Sequence, residues 1–268
     1  MKQPHRGRDS ESVTAAEMPA GSPYRLLAEY YDRLFGFGIP WSEAARAKLL
    51  GHILPQVKAG CDLCCGTGTT AVALARGGIK MYAVDLSATM CRLARQKAEK
   101  AGVPLRVLRA DMRAFKLPER VDLVLCEFDA INHVPRTADL GLVASAAARA
   151  LRPGGYFYFD VNTRLAFKKL WPQAWWIEQP DFALVLHGGY DHARDKAWSN
   201  AEWFFREGRH WRRRRERVEE VCWSASEIRS VLLKAGFDRI RAFDGTPFLR
   251  HSPGMRRGCR TFYLARKG

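Results

Sequence analysis

A glycine-containing loop at residues 65–68 (CGTG) is the stretch whose residue types and spacing most clearly suggest chemistry. It follows a short apolar segment that carries Asp62, and it precedes an Ala/Val/Leu-rich segment typical of a helix. Glycines let the backbone approach a ligand closely, and the first turn of a helix offers unpaired N–H groups. The loop therefore predicts a binding site for a nucleotide-type cofactor.

The position of one further carboxylate narrows the cofactor class. Residues 66–71 (GTGTTA) fit the pattern G-x-G-x-x-A, and Asp85 lies 19 positions after Gly66 at the end of an apolar run. A carboxylate placed there can accept hydrogen bonds from both hydroxyls of a ribose. By itself, this pattern suits a nicotinamide dinucleotide and S-adenosylmethionine (SAM) equally well.

The elements that must position these residues alternate between strand and helix. Two helices precede the loop, at 24–35 and at 43–53, the second capped by Ser42. Helices at 69–75, 87–101 and 139–151, with Ser87 as the cap of the second, separate apolar segments. Strands are predicted for the segment carrying Asp62 and for 80–86, 105–109, 121–127 and 156–161. This alternation indicates a parallel sheet with helices on both faces.

The pattern changes after Asn162. Segments 182–190, 197–205 and 213–223 are predicted as successive antiparallel strands, which we interpret as a layer inserted at 164–224. A helix at 226–235 and strands at 237–243 and 259–265 close the fold. Residues 1–22 are polar and small and predict a disordered tail ahead of one domain at 23–268.

Composition adds expectations about the environment and partners. The formal net charge of +16 is densest at Arg212–Arg215, which indicates either an anionic partner or a solvated charged strand. We expect a cytoplasmic protein without a membrane segment, because no apolar run is long enough to span a bilayer and the start lacks a signal peptide. Cys61, Cys64 and Cys65 have no second pair at zinc-ligand spacing, so we expect thiols beside the cofactor and no metal.

Four motifs in order carry a family resemblance. They are residues 62–68 (DLCCGTG), 84–87 (VDLS), 110–112 (ADM) and 151–155 (LRPGG). Over roughly residues 24–268, the chain resembles the class I SAM-dependent methyltransferases. It is most similar to small-molecule methyltransferases, including N,N-dimethyltransferases of amino-sugar nucleotides, through Tyr31-Asp32 and the stretches 128–133 and 182–223.

The resemblance implies an α/β fold and a cofactor site. The fold would be a Rossmann-like, seven-stranded, mostly parallel sheet with helices on both faces and an inserted antiparallel β layer. The cofactor would be SAM, and the product S-adenosylhomocysteine. Its binding residues would be Tyr31, Asp62, Cys64, Gly66, Thr67, Gly68, Asp85, Leu86, Met90, Asp111, Met112 and Glu127.

Within that set, the resemblance implies distinct roles. Asp62 would help to hold the ammonium group, Asp85 the ribose diol, and Asp111 the adenine amino group. Met112, Leu86 and Met90 would lie beside the adenine ring, although the last two suit a core equally well. Glu127 would contact the methionine moiety, with its carbonyl or its carboxylate.

His133 and Tyr31 are the residues expected on the acceptor side. A histidine near neutral pKa can take a proton from an amine or hydroxyl acceptor, or orient that acceptor. The alternatives are a histidine bonded only to backbone, and an Asp129 that orients the acceptor instead. Tyr31 resembles the family's aromatic lid residue but also suits helix packing. Five tryptophans could form a stacking wall for the acceptor, a core or a dimer face: Trp171, Trp175, Trp176, Trp198 and Trp203.

Three functions follow from these observations. The first is methyl transfer to a nitrogen or oxygen of a small-molecule acceptor by a protein that could form a homodimer through exposed strands. The second is an RNA or protein methyltransferase that uses the basic segment 206–217. The third is a nicotinamide-binding or non-catalytic domain.

Overall fold

The computed structural model describes residues 26–249 and 257–268, so the predicted tail at 1–22 lies outside the described residues. A seven-stranded sheet forms the centre of the described chain. Its strands are β1 (Ala59–Leu63), β2 (Lys80–Asp85), β3 (Leu105–Arg109), β4 (Val121–Cys126), β5 (Leu151–Asn162), β10 (Phe237–Asp244) and β11 (Arg260–Lys267). The four strands β6–β9 form a second sheet, described below.

The order of the large sheet is β10-β11-β5-β4-β1-β2-β3. Neighbours from β3 to β5 pair in parallel, whereas β11 runs antiparallel to both β5 and β10. The chain order reverses beside β1, so β1 and β4 open a crevice at their carboxyl ends. The Rossmann-like, mostly parallel sheet predicted from the sequence is confirmed.

Helices cover both faces of this sheet, as predicted. They are α1 (Leu27–Phe35), α2 (Ile39–Leu50), α3 (Thr69–Arg76), α4 (Ala88–Ala101), α5 (Thr137–Ala150), α6 (Arg164–Leu170) and α7 (Ala225–Lys234). One apolar core lies between the sheet and α5 and α7, and another between the sheet and α2. None of the helices in the described parts of the chain has both the length and the apolar character that a membrane span requires.

Local signals explain where several helices begin and end. Ser87 caps α4 by accepting a hydrogen bond from the Met90 N–H at 3.4 Å, and Gly102 ends that helix with φ of 65°. The cap predicted at Ser42 is wrong: α2 begins at Ile39 with Pro40 in its first turn, and Ser42 lies inside the helix. The Ser42 hydroxyl instead donates to Glu127 at 3.0 Å.

The second sheet contains four antiparallel strands in the order β6-β7-β8-β9. They are β6 (Trp175–Glu178), β7 (Phe182–Asp191), β8 (Lys196–Glu207) and β9 (His210–Val221). The inserted antiparallel layer is thus confirmed as a separate sheet, with one more strand, β6, than the sequence pattern indicated. The domain limits 23–268 and 164–224 stay predictions.

One face of this second sheet packs against α1. The apolar cluster between them contains Leu27 and Leu34 of α1 and Phe182, Leu184 and Trp203 of the sheet. Glu216 of β9 accepts hydrogen bonds from the N–H groups of Leu26 and Leu27 at 2.7 and 3.2 Å. A carboxylate at a helix N-terminus satisfies unpaired donors there, so the inserted sheet caps α1.

Candidate active site

A cavity of about 340 Å³ lies at the carboxyl ends of β1, β2 and β4. Every residue predicted for the site, apart from Gly68, lines it: Tyr31, Asp62, Cys64, Gly66, Thr67, Asp85, Leu86, Met90, Asp111, Met112, Glu127 and His133. The structure therefore brings together residues from six separate stretches of the chain. Their roles are not tested by this proximity and stay predictions.

The loop after β1 owes its shape to backbone conformations that favour glycine. Gly66 and Gly68 have φ of 53° and 79°, and Cys64 has φ of 59° despite its side chain. Gly68 does not reach the cavity, because it packs under α4. A Cβ at position 68 would lie 2.8 Å from Cβ of Ala94. The glycine at this position is therefore required by packing as well as by φ.

Two carboxylates hold the loop through backbone N–H groups. Asp85 accepts from Gly66 at 2.9 Å and from Ser87 at 2.8 Å. Asp62 accepts from the N–H of Ala71 in the first turn of α3 at 3.1 Å. Burial, followed by the nearby charge of Glu127, raises the pKa of Asp62 to about 8. The expected ammonium-holding residue is therefore largely neutral at pH 7 when no cation is beside it.

Glu127 is held by a buried cation that sequence reasoning missed. Its carboxylate pairs with Arg46 of α2 at 2.5 Å and also accepts from Ser42 and Thr70. Arg46 and Glu127 are both buried. Sequence offered one usable signal: Arg46 lies on the α2 face that carries the buried Leu49 and Leu50. Of the two groups of Glu127 considered above, its carbonyl and its carboxylate, the carboxylate is thus fixed in place beside the cavity.

Asp111 has a competing partner. Its carboxylate accepts from the Arg113 side chain at 2.6–3.1 Å and from the Arg113 N–H at 2.8 Å. The Arg113 guanidinium holds the pKa of Asp111 below its usual value. Arg113 also lines the cavity, and the sequence analysis did not single it out. A role for Asp111 toward an adenine amino group would have to share its carboxylate with this guanidinium.

Helix α1 closes one side of the cavity. Tyr31 is half-buried, and burial raises the pKa of its phenol, which therefore stays protonated at neutral pH. The next residue, Asp32, accepts from the hydroxyl of Thr67 at 2.6 Å and pairs with Lys97 of α4 at 2.6 Å. Thus the helix that carries Tyr31 is bonded directly to the glycine loop.

The turn after β4 contributes Ala130 and His133 to the lining of the cavity. His133 ends this turn (Ala130–His133), and its Nδ1 lies 3.4 Å from the carbonyl oxygen of Glu219 on β9. Burial lowers the pKa of His133, while Asp129 opposes this shift. The imidazole is therefore neutral near pH 7 and can accept a proton.

Asp129 does not line the cavity. Its carboxylate pairs with Arg260 of β11 at 2.7 Å, and Arg260 also bonds to Asp160 of β5. Carboxylate oxygens of Asp129 and Glu220 and a ring nitrogen of His133 all lie within 4.8 Å of one another. Neither Arg260 nor Glu220 was singled out from the sequence.

Other features named from the sequence lie away from the cavity. No residue of the segment 206–217, and none of the five tryptophans of the insertion, lines it. Trp203 is fully buried under α1, whereas Trp176 is exposed. The stacking wall is therefore not formed at this cavity. Arg213 and Arg215 lie on one face of β9 and share Glu202, both at 2.6 Å, which offsets part of the positive charge.

Comparison with known proteins identifies the family of the central region. Residues 61–155 match the family model described as a methyltransferase domain. The matched residues contain most of β1, all of β2–β4 and the start of β5. The resemblance inferred from the four motifs is confirmed.

Relatives and solved structures extend the likeness beyond this methyltransferase domain. A Bacillus subtilis (strain 168) protein named as a methyltransferase, YqeM, is 25% identical over 220 residues, covering 81% of this chain and 87% of the relative. A SAM-dependent methyltransferase from Clostridium acetobutylicum ATCC 824 has a TM-score of 0.75 at 21% identity, covering 91% of this chain and 99% of that one. The sugar N-methyltransferase KedS8 from Streptoalloteichus has a TM-score of 0.71 at 22% identity, covering 98% and 99%. At these identities, the two structures show the fold.

Proposed function

We propose that this protein is a SAM-dependent methyltransferase acting on a nitrogen or an oxygen of a small-molecule acceptor. The observation that carries the proposal is the set of groups that line one cavity. The carboxyl groups of Asp62, Asp85 and Glu127 line it together with the imidazole of His133. The similarity to SAM-dependent and sugar N-methyltransferases supports the same function.

The residues present fit SAM. Asp62 is a buried carboxyl whose pKa is raised by burial and by the charge of Glu127 despite the nearby Arg46, and the ammonium group of SAM would favour its ionised form. The Asp85 carboxylate is already fixed by two backbone N–H groups, and its remaining lone pairs can accept from two ribose hydroxyls. Leu86, Met90 and Met112 give an apolar surface for the adenine ring. When bound, SAM supplies an electrophilic methyl group on a sulfonium that keeps the electrons of the broken bond.

The protein contributes position, exclusion of water and a proton acceptor. The α1 residues Tyr31 and Phe35 close the cavity and remove water from the reacting groups. Asp32 fixes α1 to Thr67 of the loop, so donor and acceptor sites are held in one geometry. The neutral imidazole of His133 can take the proton of the acceptor nitrogen or oxygen.

Two measurements test the proposal. Calorimetry with SAM and NAD in parallel should give binding of SAM only, and a preference for NAD would overturn the proposal. An activity screen across amines, amino sugars and phenols should then show S-adenosylhomocysteine release with at least one small acceptor. If turnover required RNA or a protein, and RNA binding fell with added salt, the acceptor class would be wrong although the chemistry would stand.

His133→Ala separates catalysis from cofactor binding. Loss of the proton acceptor should lower kcat by about 100-fold or more while SAM binds as tightly as to the wild type. His210→Ala is a control, since His210 is exposed at the start of β9 and away from the cavity. Unchanged turnover in His133→Ala would show that His133 is not the proton acceptor.

A further inference from the structure

Buried polar atoms without a partner are concentrated on β5 and on the strands β9 and β11. Among the described residues, six buried side-chain nitrogen or oxygen atoms have no hydrogen-bond partner. Five of them belong to Tyr158, Asp160 and Asn162 on β5, Arg260 on β11 and Glu220 on β9. Tyr158, Asp160 and Asn162 alternate along β5 and therefore share one face of the strand. Unsatisfied buried groups are costly, so this concentration calls for a functional explanation.

The charges in this group are unequal. The carboxyl groups of Asp129, Asp160 and Glu220 lie near a single guanidinium, that of Arg260, and burial, followed by the charge of Asp129, raises the pKa of Glu220 well above its ordinary value. Arg260 forms ion pairs with Asp129 and Asp160 and none with Glu220. Glu220 is 6% exposed, and its Oε2 atom has no hydrogen-bond partner. It is therefore a buried carboxyl group without a cation of its own.

This buried carboxyl group, which also bonds to the Asn162 side chain, lies next to the proton acceptor of the proposed reaction. A Glu220 oxygen, an Asp129 oxygen and a His133 ring nitrogen are all within 4.8 Å of one another. Hydrogen bonds hold the turn Ala130–His133 against the end of β9 and the residues that follow it. Asn132 donates to the carbonyl of Val221 at 2.8 Å, and Trp223 donates to that of Ile131 at 3.1 Å. The inserted sheet thus places Glu220 firmly beside the turn that carries His133.

We propose that Glu220 is the charge partner of His133 and that this pair accepts the proton of an amine that arrives as an ammonium ion. This inference rests on the proposed function. The proton leaves the acceptor nitrogen and binds a ring nitrogen of His133, and no other bond changes in this step. The charge of Asp129 stabilises the imidazolium that forms, as does that of Glu220 wherever the pH leaves it ionised, and the acceptor nitrogen is left with the lone pair that methyl transfer requires. Glu220 acts through His133 and is a positioning residue.

The same charges select the class of acceptor. A cation approaching His133 is attracted by an excess of carboxylates, whereas a phenolate or a carboxylate is repelled by them. Asp129 and Asp160 both pair with Arg260. The electrostatic field at His133 therefore depends mainly on whether Glu220 is ionised. The site therefore favours primary and secondary amines over phenols.

The titration of His133 provides a test that needs no acceptor. Nitrogen-15 NMR of the histidine-labelled protein, with His133→Gln to assign the signal, follows the imidazole against pH. We expect two titration steps in the wild type, because Glu220 and His133 each sense the proton on the other. Glu220→Gln should remove one step, and Glu220→Asp should keep both. The other charged groups facing the pair, Asp129, Asp160 and Arg260, are unchanged in each variant.

Turnover of the best amine from the activity screen gives the second readout. We expect Glu220→Gln to lower kcat by about tenfold or more and to move the acidic limb of its pH profile to lower pH. Glu220→Asp should be the milder change, whereas a purely structural role would make the isosteric glutamine milder. Glu207→Gln is the control from the same sheet, because Glu207 is exposed and pairs with Arg212 at 3.0 Å.

Several results would overturn the inference. One is a Glu220→Gln variant with two titration steps and the wild-type pH profile. Another is a wild-type enzyme that methylates only phenols or alcohols, which would leave the proposed function intact. A third is activity that EDTA removes and Mn²⁺ restores, since the three groups would then hold a metal. Failure of the wild type to bind SAM would instead contradict the proposed function. The NMR titration would still show whether Glu220 and His133 interact. If Glu220→Gln does not fold, Glu220→Ala replaces it as the variant without the carboxyl group in both tests.

Discussion

The carboxyl groups of the cofactor loop, which line the cavity, and those beside His133, which lie outside its lining, are held by different means. At the cofactor end, Asp62 and Asp85 accept hydrogen bonds from backbone N–H groups of the loop and of the adjacent helix starts. At the acceptor end, Asp129 depends on a guanidinium from β11, and Glu220 comes from the inserted sheet. The first end is therefore built within one βαβ unit, while the second is complete only when two sheets and distant strands have assembled.

The difference separates carboxyl groups that are fixed by the backbone from carboxyl groups that are fixed by side chains. A backbone-held carboxylate keeps its position when neighbouring side chains change, because the donors are peptide groups. A carboxylate held by side chains of an inserted sheet can be altered by changing that sheet. The cofactor end should thus respond most to backbone changes, and the acceptor end most to charge changes.

The largest effect is expected from Gly68→Ala at the cofactor end. A Cβ there would lie 2.8 Å from Cβ of Ala94, and φ is 79°. Left-handed backbone and overpacking together should lower the free energy of unfolding by about 3 kcal/mol, measured by denaturant titration. Gly78→Ala is the matched control, with φ of 87° and open space, and should cost only about 1 kcal/mol. Equal losses in the two variants would show that packing against α4 is unimportant.

The next effect concerns Asp85→Asn. The amide keeps the size of the carboxyl group but cannot accept from both Gly66 and Ser87 and also from two ribose hydroxyls. Loss of charge-assisted hydrogen bonds worth about 1.5–3 kcal/mol should raise the Kd for SAM by roughly 100-fold in calorimetry. Glu220→Gln, at the other end, should leave this Kd unchanged. A SAM affinity that responds equally to both variants would erase the distinction between the two ends.

A pH dependence of SAM binding is expected from Asp62. Its pKa of about 8 means that the carboxyl group is protonated below that pH and must lose a proton to pair with a cation. Affinity for SAM should therefore increase with pH, by up to tenfold per unit, and level off above about 8. Calorimetry in buffers of different ionisation enthalpy should show proton release on binding below pH 8. Asp62→Asn should abolish that release; if it persists, another group is titrating.

The smallest effect is expected from Glu216→Gln, which touches neither end directly. The variant weakens the cap that β9 provides to α1, at a cost of about 1 kcal/mol. Hydrogen exchange of α1 amides should become about fivefold faster, because local opening is easier by that amount. Glu207→Gln should leave these amides as protected as in the wild type. Unchanged exchange in Glu216→Gln would mean that apolar packing alone holds α1.

The sequence predicted the part of the site whose residues lie close to one another in the chain. Asp62, Gly66 and Asp85 follow or end adjacent parallel strands, and strand ends of a parallel sheet meet at one edge, so the spacing alone placed them together. The strand–helix alternation likewise predicted the large sheet. Glu220 and Arg260 could not be found in this way. Their neighbours Asp129 and His133 are about 90–130 positions away, and only the register of β9 and β11 brings them together.

The ion-pair partners of buried charged residues could not be predicted from the sequence either. Arg46 and Arg113 are two of many arginines in a chain with a formal net charge of +16, and nothing in their local context distinguishes a buried ion pair from a solvated side chain. Ser42 was misassigned for a similar reason, since its position before Glu43 suited a helix cap. Helix α2 begins earlier than predicted, with Pro40 in its first turn, so Ser42 lies inside the helix. Its hydroxyl donates a hydrogen bond to Glu127.

The bridge formed by Arg260 also sets an order for biosynthesis. Asp129 and Asp160 leave the ribosome well before the arginine that neutralises both of them. Until β11 is made and inserted between β5 and β10, the edge of the growing sheet carries two carboxylates that strongly resist burial. The nascent chain can therefore complete its cofactor loop early, whereas the acceptor end closes only when the strand beginning at Arg260 is in place.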